Sequence, residues 1–325
     1  MRRCAVCLVL GLLLGMPLLW GAEDDGAIPP ATHSETRTIG EANSLRFKSL
    51  STFCLDANEN LLACDSGASD IKVVSPDGKV QGVWKLDFKP YAIHHCPDST
   101  VYVGGKGVLA TLDRAGKVVR KVEAKDGNFP DQKVSGLTVT DKHVFAAFGR
   151  GWSTRSQSDL YRFDLDFSNP KAIAKDLRAC CQRCDLVSRN GFVYVAENSR
   201  RRVVKYDSEG KLIASWGRAS RTDVEGFGSC CNPMNLCFGA DGSLYTSESG
   251  LGRVKRYTPD GKFLGVVGCV GTARFSRAGG LAASCSNIAI AVSKDGRRVY
   301  VQDVQKNLIR VLEAVRPTTQ PAKGE

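Results

Sequence analysis

One phrase recurs along most of this chain, and that internal repeat limits the fold more than any other feature. Each copy holds an apolar strand, a turn of the Asp-Gly kind, a second strand, and a third strand with Arg-Val or Lys-Val. The second strands are marked by Leu62, Tyr102, Phe145, Tyr194, Tyr245 and Tyr300. These markers follow one another at steps of 40, 43, 49, 51 and 55 residues. Four short strands per period of that length are typical of a β-propeller blade, so the sequence predicts an all-β, six-bladed β-propeller.

The ends of the repeat region suggest how the ring closes. Residues 308–312 form the third strand of the last copy, and no suitable fourth strand follows them. Residues 44–48 precede the first copy and have no earlier partner. If they complete the last blade, both free edges disappear. We therefore predict a propeller over residues 44–314 that is closed by an N-terminal strand. Residues 23–43 are interpreted as a flexible linker and residues 315–325 as a disordered tail.

The first 22 residues have the composition of an export signal. Arg2 and Arg3 precede an apolar stretch from Cys4 to Trp20, and small residues follow it. This pattern predicts a secretory signal peptide cleaved near Ala22, with an uncleaved membrane anchor as the alternative. We expect a secreted or periplasmic protein with no transmembrane segment after cleavage. The formal net charge of +11 favours anionic ligands or surfaces, and export argues against a nucleic-acid partner.

Two of the copies carry a family resemblance. The segments NPMNLCFGADGSLYTSESGLGRVKRYTPDGKFLGVVG (residues 232–268) and DLVSRNGFVYVAENSRRRVVKYDSEGKLIASWG (residues 185–217) resemble NHL repeats. The resemblance covers residues 44–314 and is strongest in copies four to six. It implies a six-bladed propeller, as in secreted bacterial NHL proteins. It does not choose a function, because relatives include lactone hydrolases, lyases, RNA-binding domains and protein-binding scaffolds.

Acidic residues end the second strand in four of the copies. They are Asp65, Glu197, Glu248 and Asp303. A residue type that recurs at one strand position favours a structural role over a catalytic one. Glu197 precedes Arg202 by five residues, and Glu248 precedes Arg253 by the same spacing. We therefore predict that each pair ties its blade together by charge-assisted hydrogen bonds. Asp65 and Asp303 lack an arginine at this spacing.

Three polar residues lie at positions from which they could bind a metal or take part in catalysis in the channel. His94 and Asn235 fall on predicted first strands, and Asp185 lies beside one. The NHL resemblance implies zinc-binding histidines in lyases, or channel carboxylates and asparagines around a divalent ion in lactonases. This chain offers neither full set, and His94 is better explained as a packed or surface histidine than as a ligand or general base. Nucleophile-elbow, Walker and H-E-x-x-H motifs are absent from the sequence. A metal-dependent lyase or lactone hydrolase remains the alternative function.

Cysteine is the unusual residue of this chain. Cys180, Cys231 and Cys285 fall at one position, just before the first strand of copies four, five and six. Cys181, Cys184 and Cys230 lie beside them. Because first strands line the channel, the sequence predicts that these six sulfurs gather at one channel mouth.

Three interpretations of this cluster stay open. The thiolates could hold zinc, copper or an iron-sulfur cluster. A redox-active disulfide could form near Arg178 and Arg183, or structural disulfides could join the blades. The easiest structural pair to propose is Cys54 with Cys64, across one predicted turn. The sequence as a whole predicts an exported module that binds a protein, a carbohydrate or a small molecule, with a cysteine-rich mouth.

Overall fold

The computed structural model describes residues 29–41, 45–150, 156–228, 231–270 and 287–315, without the side chain of Cys181. The predicted signal peptide, and the predicted tail after residue 315, lie outside these residues. Within the described ranges, no helix has the length and apolar character needed to cross a membrane.

The described strands form six four-stranded antiparallel sheets, which are the six blades. Blade 1 contains β2 (Leu50–Leu55), β3 (Leu61–Asp65), β4 (Asp70–Val74) and β5 (Val80–Lys85). Blade 2 contains β6 (Ala92–His95), β7 (Val101–Gly104), β8 (Val108–Leu112) and β9 (Val118–Glu123). Blade 3 contains β10 (Val134–Val139), β11 (His143–Arg150), β12 (Gln157–Asp164) and β13 (Lys171–Arg178). Blade 4 contains β14 (Leu186–Arg189), β15 (Phe192–Glu197), β16 (Arg202–Tyr206) and β17 (Leu212–Trp216).

Blade 5 contains β18 (Leu236–Phe238), β19 (Leu244–Glu248), β20 (Arg253–Tyr257) and β21 (Phe263–Cys269). Blade 6 contains β22 (Ile290–Val292), β23 (Arg298–Asp303), β24 (Leu308–Ala314) and, from the other end of the chain, β1 (His33–Ile39). The single α-helical turn of the described ranges is α1 (Ala124–Gly127). The predicted all-β, six-bladed propeller is confirmed.

Closure by an N-terminal strand is also confirmed, but the strand is not the predicted one. β1 pairs antiparallel with β24, with Ile39 opposite Ile309. Residues 45–49 form no strand, so the prediction for residues 44–48 is wrong, and the interpreted linker 23–43 contains the closing strand. The reason is that β1 is the outermost strand of its blade. Only His33 and Ile39 are buried in it, so its sequence is mostly polar and has the composition of a linker.

Six inner strands surround the central channel. They are β2, β6, β10, β14, β18 and β22, and each contacts its neighbour around a closed ring in which β22 meets β2. Apolar side chains fill the space between adjacent blades, and all six second-strand markers are buried there. The inner strands run in one direction, so the loops that enter the blades lie at one end of the channel. The hairpin turns that follow the inner strands lie at the other end.

Buried ion pairs close the ends of the second strands in four blades, and in blades 1, 4 and 5 the same acid also binds the backbone that leads into the blade. Glu197 accepts hydrogen bonds from Nε of Arg202 at 2.6 Å and from the backbone N–H of Arg178 at 3.0 Å. Glu248 pairs in the same way with Arg253 and with the backbone N–H of Gly228. Both predicted pairs are therefore confirmed.

The other two acids, Asp65 and Asp303, each form an ion pair with a basic residue seven positions later in the chain. Asp65 pairs with Lys72 at 2.7 Å, and Asp303 pairs with Nη2 of Arg310 at 2.7 Å. Asp65 also accepts the backbone N–H of Ser49, in the loop that enters blade 1. All four acids thus hold parts of the propeller together, which agrees with the predicted structural role.

Candidate functional site

The central channel holds a cavity of about 290 Å³ whose wall includes residues from the inner strands of all six blades. The wall combines apolar residues, with Ile93, Leu137 and Ala291 among them, and polar residues. Asp185 is the single carboxyl group among the described residues of the wall. The cavity therefore offers a small molecule both apolar contact and polar groups that could fix its orientation.

Asp185 is a buried carboxyl group in this wall, and its surroundings alter its titration. It directly precedes β14, and its Oδ2 accepts a hydrogen bond of 2.7 Å from the backbone N–H of Leu236 in the next blade. Burial raises the pKa of Asp185 to about 6, although the Leu236 N–H and the Asn235 amide oppose that rise. A carboxyl group with this pKa can hold or release a proton near neutral pH. Asp185 and Asn235 both line the channel cavity, where the sequence analysis placed them, and the Asn235 amide lies close enough to Asp185 to oppose the rise of its pKa.

Asn235 contributes an unused hydrogen-bond acceptor. Its side chain is 7% exposed, and its Oδ1 atom is buried with no hydrogen-bond partner. The backbone around it is satisfied, since the Asn235 N–H donates to Oγ of Ser247 at 3.1 Å. A buried acceptor without a donor is costly in a folded protein. Its position in the channel wall makes a ligand the natural source of that donor.

His94 lies on β6 and lines the same cavity, as its sequence position predicted. Burial lowers the pKa of His94 to about 4, and the neighbouring His95 contributes to the decrease. The imidazole is therefore neutral near pH 7. It can accept or donate one hydrogen bond, but it adds no charge to the channel.

The entry-loop end of the channel carries a feature that the sequence reading missed. Lys89, Tyr91, Lys133 and Arg183, which we call the basic mouth, line a depression of about 520 Å³. Nζ of Lys133 lies 3.9 Å from the centroid of the Tyr91 ring. Burial lowers the pKa of Lys133 to about 7, and the charge of Arg183 adds to this effect. Every charged residue among the described lining of this depression is basic.

Glycines let the loops of the basic mouth approach each other. A Cβ atom on Gly104 would lie 2.6 Å from Cγ1 of Val134, which directly follows Lys133. A Cβ atom on Gly149 would lie 2.6 Å from the carbonyl oxygen of Gln182, which directly precedes Arg183. Blades 2 and 3, which lack the acidic ion pair, thus use close backbone contact to place Lys133 and Arg183.

A sequence signal for the basic mouth exists, although it is weak. The three bases precede the inner strands of three consecutive blades, by three residues for Lys89 and Arg183 and by one for Lys133. The unequal spacing hides the pattern in an alignment of copies. Only the closed ring brings these positions together.

The predicted cysteine cluster is described only in part. Cys180 and Cys231 are buried in one small cluster with Met234, whereas Cys184 packs in a separate apolar cluster with Leu186. The side chain of Cys181, together with residues 230 and 285, lies outside the described residues. Among the residues that are described, no group of three His, Cys, Asp or Glu side chains could hold a metal ion. The six-cysteine metal site stays a prediction.

The hairpin end of the channel carries uncharged sulfur and imidazole groups. Cys54, His95 and Cys237, which we call the thiol end, lie on β2, β6 and β18 and line the cavity. Burial raises the pKa of Cys237 to about 12 and that of Cys54 further, and burial lowers the pKa of His95. These groups are therefore neutral near pH 7.

The predicted Cys54–Cys64 disulfide is wrong, because both residues are free thiols. The register explains the error. Cys54 lies opposite Leu62, and Cys64 lies opposite Thr52, after a bulge in the pairing of β2 with β3. The two cysteines are therefore diagonal neighbours in the sheet and not direct cross-strand partners.

Solved structures similar to this chain share its fold. A structure described as a streptogramin B lyase aligns with a TM-score of 0.57 and 12% identity, over 86% of this chain and 97% of its own. Virginiamycin B lyase from Staphylococcus aureus aligns with a TM-score of 0.53 and 12% identity, over 81% and 80%. A protein of unknown function from Bacteroides thetaiotaomicron gives 0.59 and 13%, over 88% and 75%. No family model matches the chain, and no curated protein matches it. At such identities the likeness shows the propeller fold alone.

Proposed function

We propose that this protein is an exported propeller of the NHL type that binds a small molecule in its central channel. The observation that carries the proposal is the unpartnered, buried Oδ1 of Asn235 beside Asp185 in the wall of the 290 Å³ cavity. A buried acceptor without a donor, in the wall of a cavity of this size, suits a ligand that brings a hydrogen-bond donor. Export is part of the proposal and rests on residues 1–22.

A channel-filling variant tests this function. Thr52 lines the cavity on β2, so Thr52→Trp places an indole where the ligand would lie. Thr36→Trp is the matched control, because Thr36 is exposed on the outermost strand β1. We expect hexanol, titrated into the ¹⁵N-labelled full chain, to shift the amide signals of Leu137 and Asn235. The shifts should vanish in Thr52→Trp and persist in Thr36→Trp. Equal shifts in both variants would contradict the proposal.

The cysteine-rich mouth belongs to the same proposal as a thiolate site for zinc, copper or an iron-sulfur cluster. The meeting of Cys180, Cys231 and Met234 supports it, since sulfur ligands suit soft metals. The test is metal content and thiol count on protein purified without chelator. Stoichiometric metal should be lost in Cys231→Ser and kept in Cys269→Ser, whose cysteine is exposed on β21. Absence of metal, with the cluster oxidised, would make it a set of structural disulfides.

An enzymatic function in the same channel is the second candidate. The specific observation is the pKa of about 6 for Asp185, which suits a general acid or base. Two of the structural neighbours are described as lyases. Turnover that is lost in Asp185→Asn, in a screen of lactones and cyclic esters, would favour the enzyme. Binding without turnover would favour the binding module.

A further inference from the structure

The basic mouth and the channel cavity are adjacent and share part of their walls. Tyr91, Arg183 and Asn287 line both the depression and the cavity. A molecule that enters the channel from this side therefore passes the basic residues of the mouth. One that spans both spaces meets positive charge at the mouth and a wall of mixed polarity further in.

The polar neighbours of the basic mouth are already satisfied by the protein. Asn287 donates from Nδ2 to the carbonyl oxygen of Ser51 at 2.8 Å and to Oε1 of Gln302 at 3.0 Å. Nε2 of Gln302 donates to the carbonyl oxygen of Leu50 at 2.6 Å. These groups shape the wall of the depression, and the charged side chains are what distinguishes it chemically.

Lys133 is held in place without a carboxylate. In the described part of the chain it forms no ion pair, and the face of the Tyr91 ring lies below its ammonium group. Cation–π contact and packing therefore keep a partly buried positive charge at the mouth. The guanidinium of Arg183, which also makes contacts within the protein, lies close enough to act on Lys133 and adds positive charge to the mouth.

We propose that the ligand is a small molecule with an oxyanion group, a carboxylate or a phosphate, which binds between Lys133 and Arg183 while its less polar body enters the channel. This inference rests on the proposed channel-binding function and names the class of its ligand. The ligand body carries the hydrogen-bond donor that Oδ1 of Asn235 lacks. A carboxylate and a phosphate would bind the same two basic side chains, and the experiment below shows which of them binds more tightly.

Four probes with a common six-carbon chain test the inference on the full chain. They are hexanoate, hexyl phosphate, hexanol and hexylamine, each titrated into the ¹⁵N-labelled protein. We expect the two anions to bind at least tenfold more tightly than hexanol, and hexylamine to bind least tightly. The better of the two anions identifies the oxyanion. Equal affinity of all probes would overturn the inference and leave channel binding intact.

Lys133→Met removes the charge, and Lys205→Met is its matched control. Nζ of Lys205 also lies 3.9 Å from an aromatic centroid, that of Phe192, but this lysine is on β16 and lines neither space. Anion affinity should fall about tenfold in Lys133→Met, while hexanol affinity stays unchanged in both variants. An equal loss in the two lysine variants would show nonspecific attraction to a basic protein. If no probe binds in the channel, the inference and the proposed function both fail.

Discussion

The two ends of the central channel are formed by the same six inner strands, yet they differ in charge. The basic mouth presents Lys89, Lys133 and Arg183, with Tyr91 below the Lys133 ammonium group. The thiol end presents Cys54, His95 and Cys237, whose pKa values are shifted in the directions that keep them neutral. One end can therefore attract an anion, whereas the three groups that define the other end are neutral.

The difference follows from the way a blade is connected. At the basic mouth, long loops join one blade to the next, and buried acids such as Glu197 hold those loops. At the thiol end, short turns join the inner strand to the second strand, as at Asn190 and Gly191, both of which have positive φ. Loops between blades are free to vary in length and charge, whereas tight hairpins are not. Function on this scaffold is therefore expected at the loop end.

The largest effect is expected from removing a buried acid that holds an entry loop. The Glu197 side chain is fully buried against Arg202 and the Arg178 N–H. Glu197→Ala leaves a guanidinium without its carboxylate, and we expect a loss of about 3 to 5 kcal/mol in the free energy of unfolding. Urea denaturation measures it. Glu209→Ala, which breaks exposed pairs with Arg162 and Lys171, should have a much smaller effect because solvent screens these pairs. Equal losses would show that the acid does not fix the loop.

Asp185→Asn should stabilise the protein at neutral pH. The pKa of Asp185 is raised in the folded state, so stability falls as pH rises from about 4 to about 6 and stays lower above that range. Asparagine keeps an acceptor for the Leu236 N–H and removes the charge. We expect a gain of about 1 to 3 kcal/mol at pH 7 and a flatter stability profile between pH 4 and pH 6.

The control variant for Asp185→Asn is Asp295→Asn, which should change the stability of the protein in the opposite direction. The pKa of Asp295 is lowered by hydrogen bonds from Ser293 and the Arg297 N–H. Asp295→Asn should therefore reduce stability slightly at pH 7. Thermal unfolding across the pH range compares the two variants. A wild-type profile that rises between pH 4 and pH 6 and is unchanged by Asp185→Asn would disprove the burial of this carboxyl group.

The smallest effect is the pH dependence of anion binding at the basic mouth. The pKa of Lys133, which faces the Tyr91 ring and lies beside Arg183 and Lys89, is lowered to about 7. Its ammonium form is lost as pH rises from 6 to 8, so hexanoate affinity should fall several-fold over that range. In Lys133→Arg the side chain stays charged over this pH range, so the hexanoate affinity of this variant should not change with pH. The same slope in both proteins would assign the dependence to another group.

The fold could be predicted because every blade repeats one strand pattern. Markers such as Tyr194 and Tyr245 recur at the blade period, and each is buried on a second strand. The closing strand β1 could not be placed, since an outermost strand buries few side chains. The partners of Asp65 and Asp303 were missed because the residues directly opposite these acids are Asp70 and Leu308. Their basic partners, Lys72 and Arg310, each lie two residues after the opposite position, on the same face of the strand.

In the candidate site, too, features that lie within one repeat could be predicted, whereas contacts between blades could not. Asp185 and Asn235 could be placed at the channel because each sits at a repeated position of its own blade. Lys133 could not be connected with Arg183 from the sequence, since the two lie in different blades at unequal distances from their inner strands. Such contacts between blades depend on the closed ring, which no single copy of the repeat encodes.

A crystal structure of the full chain with hexyl phosphate bound tests the central claim most directly. The account predicts phosphate density between Lys133 and Arg183, with the alkyl chain directed into the cavity toward Asn235. Phosphate bound instead at the thiol end, or scattered over basic residues of the outer strands, would contradict it.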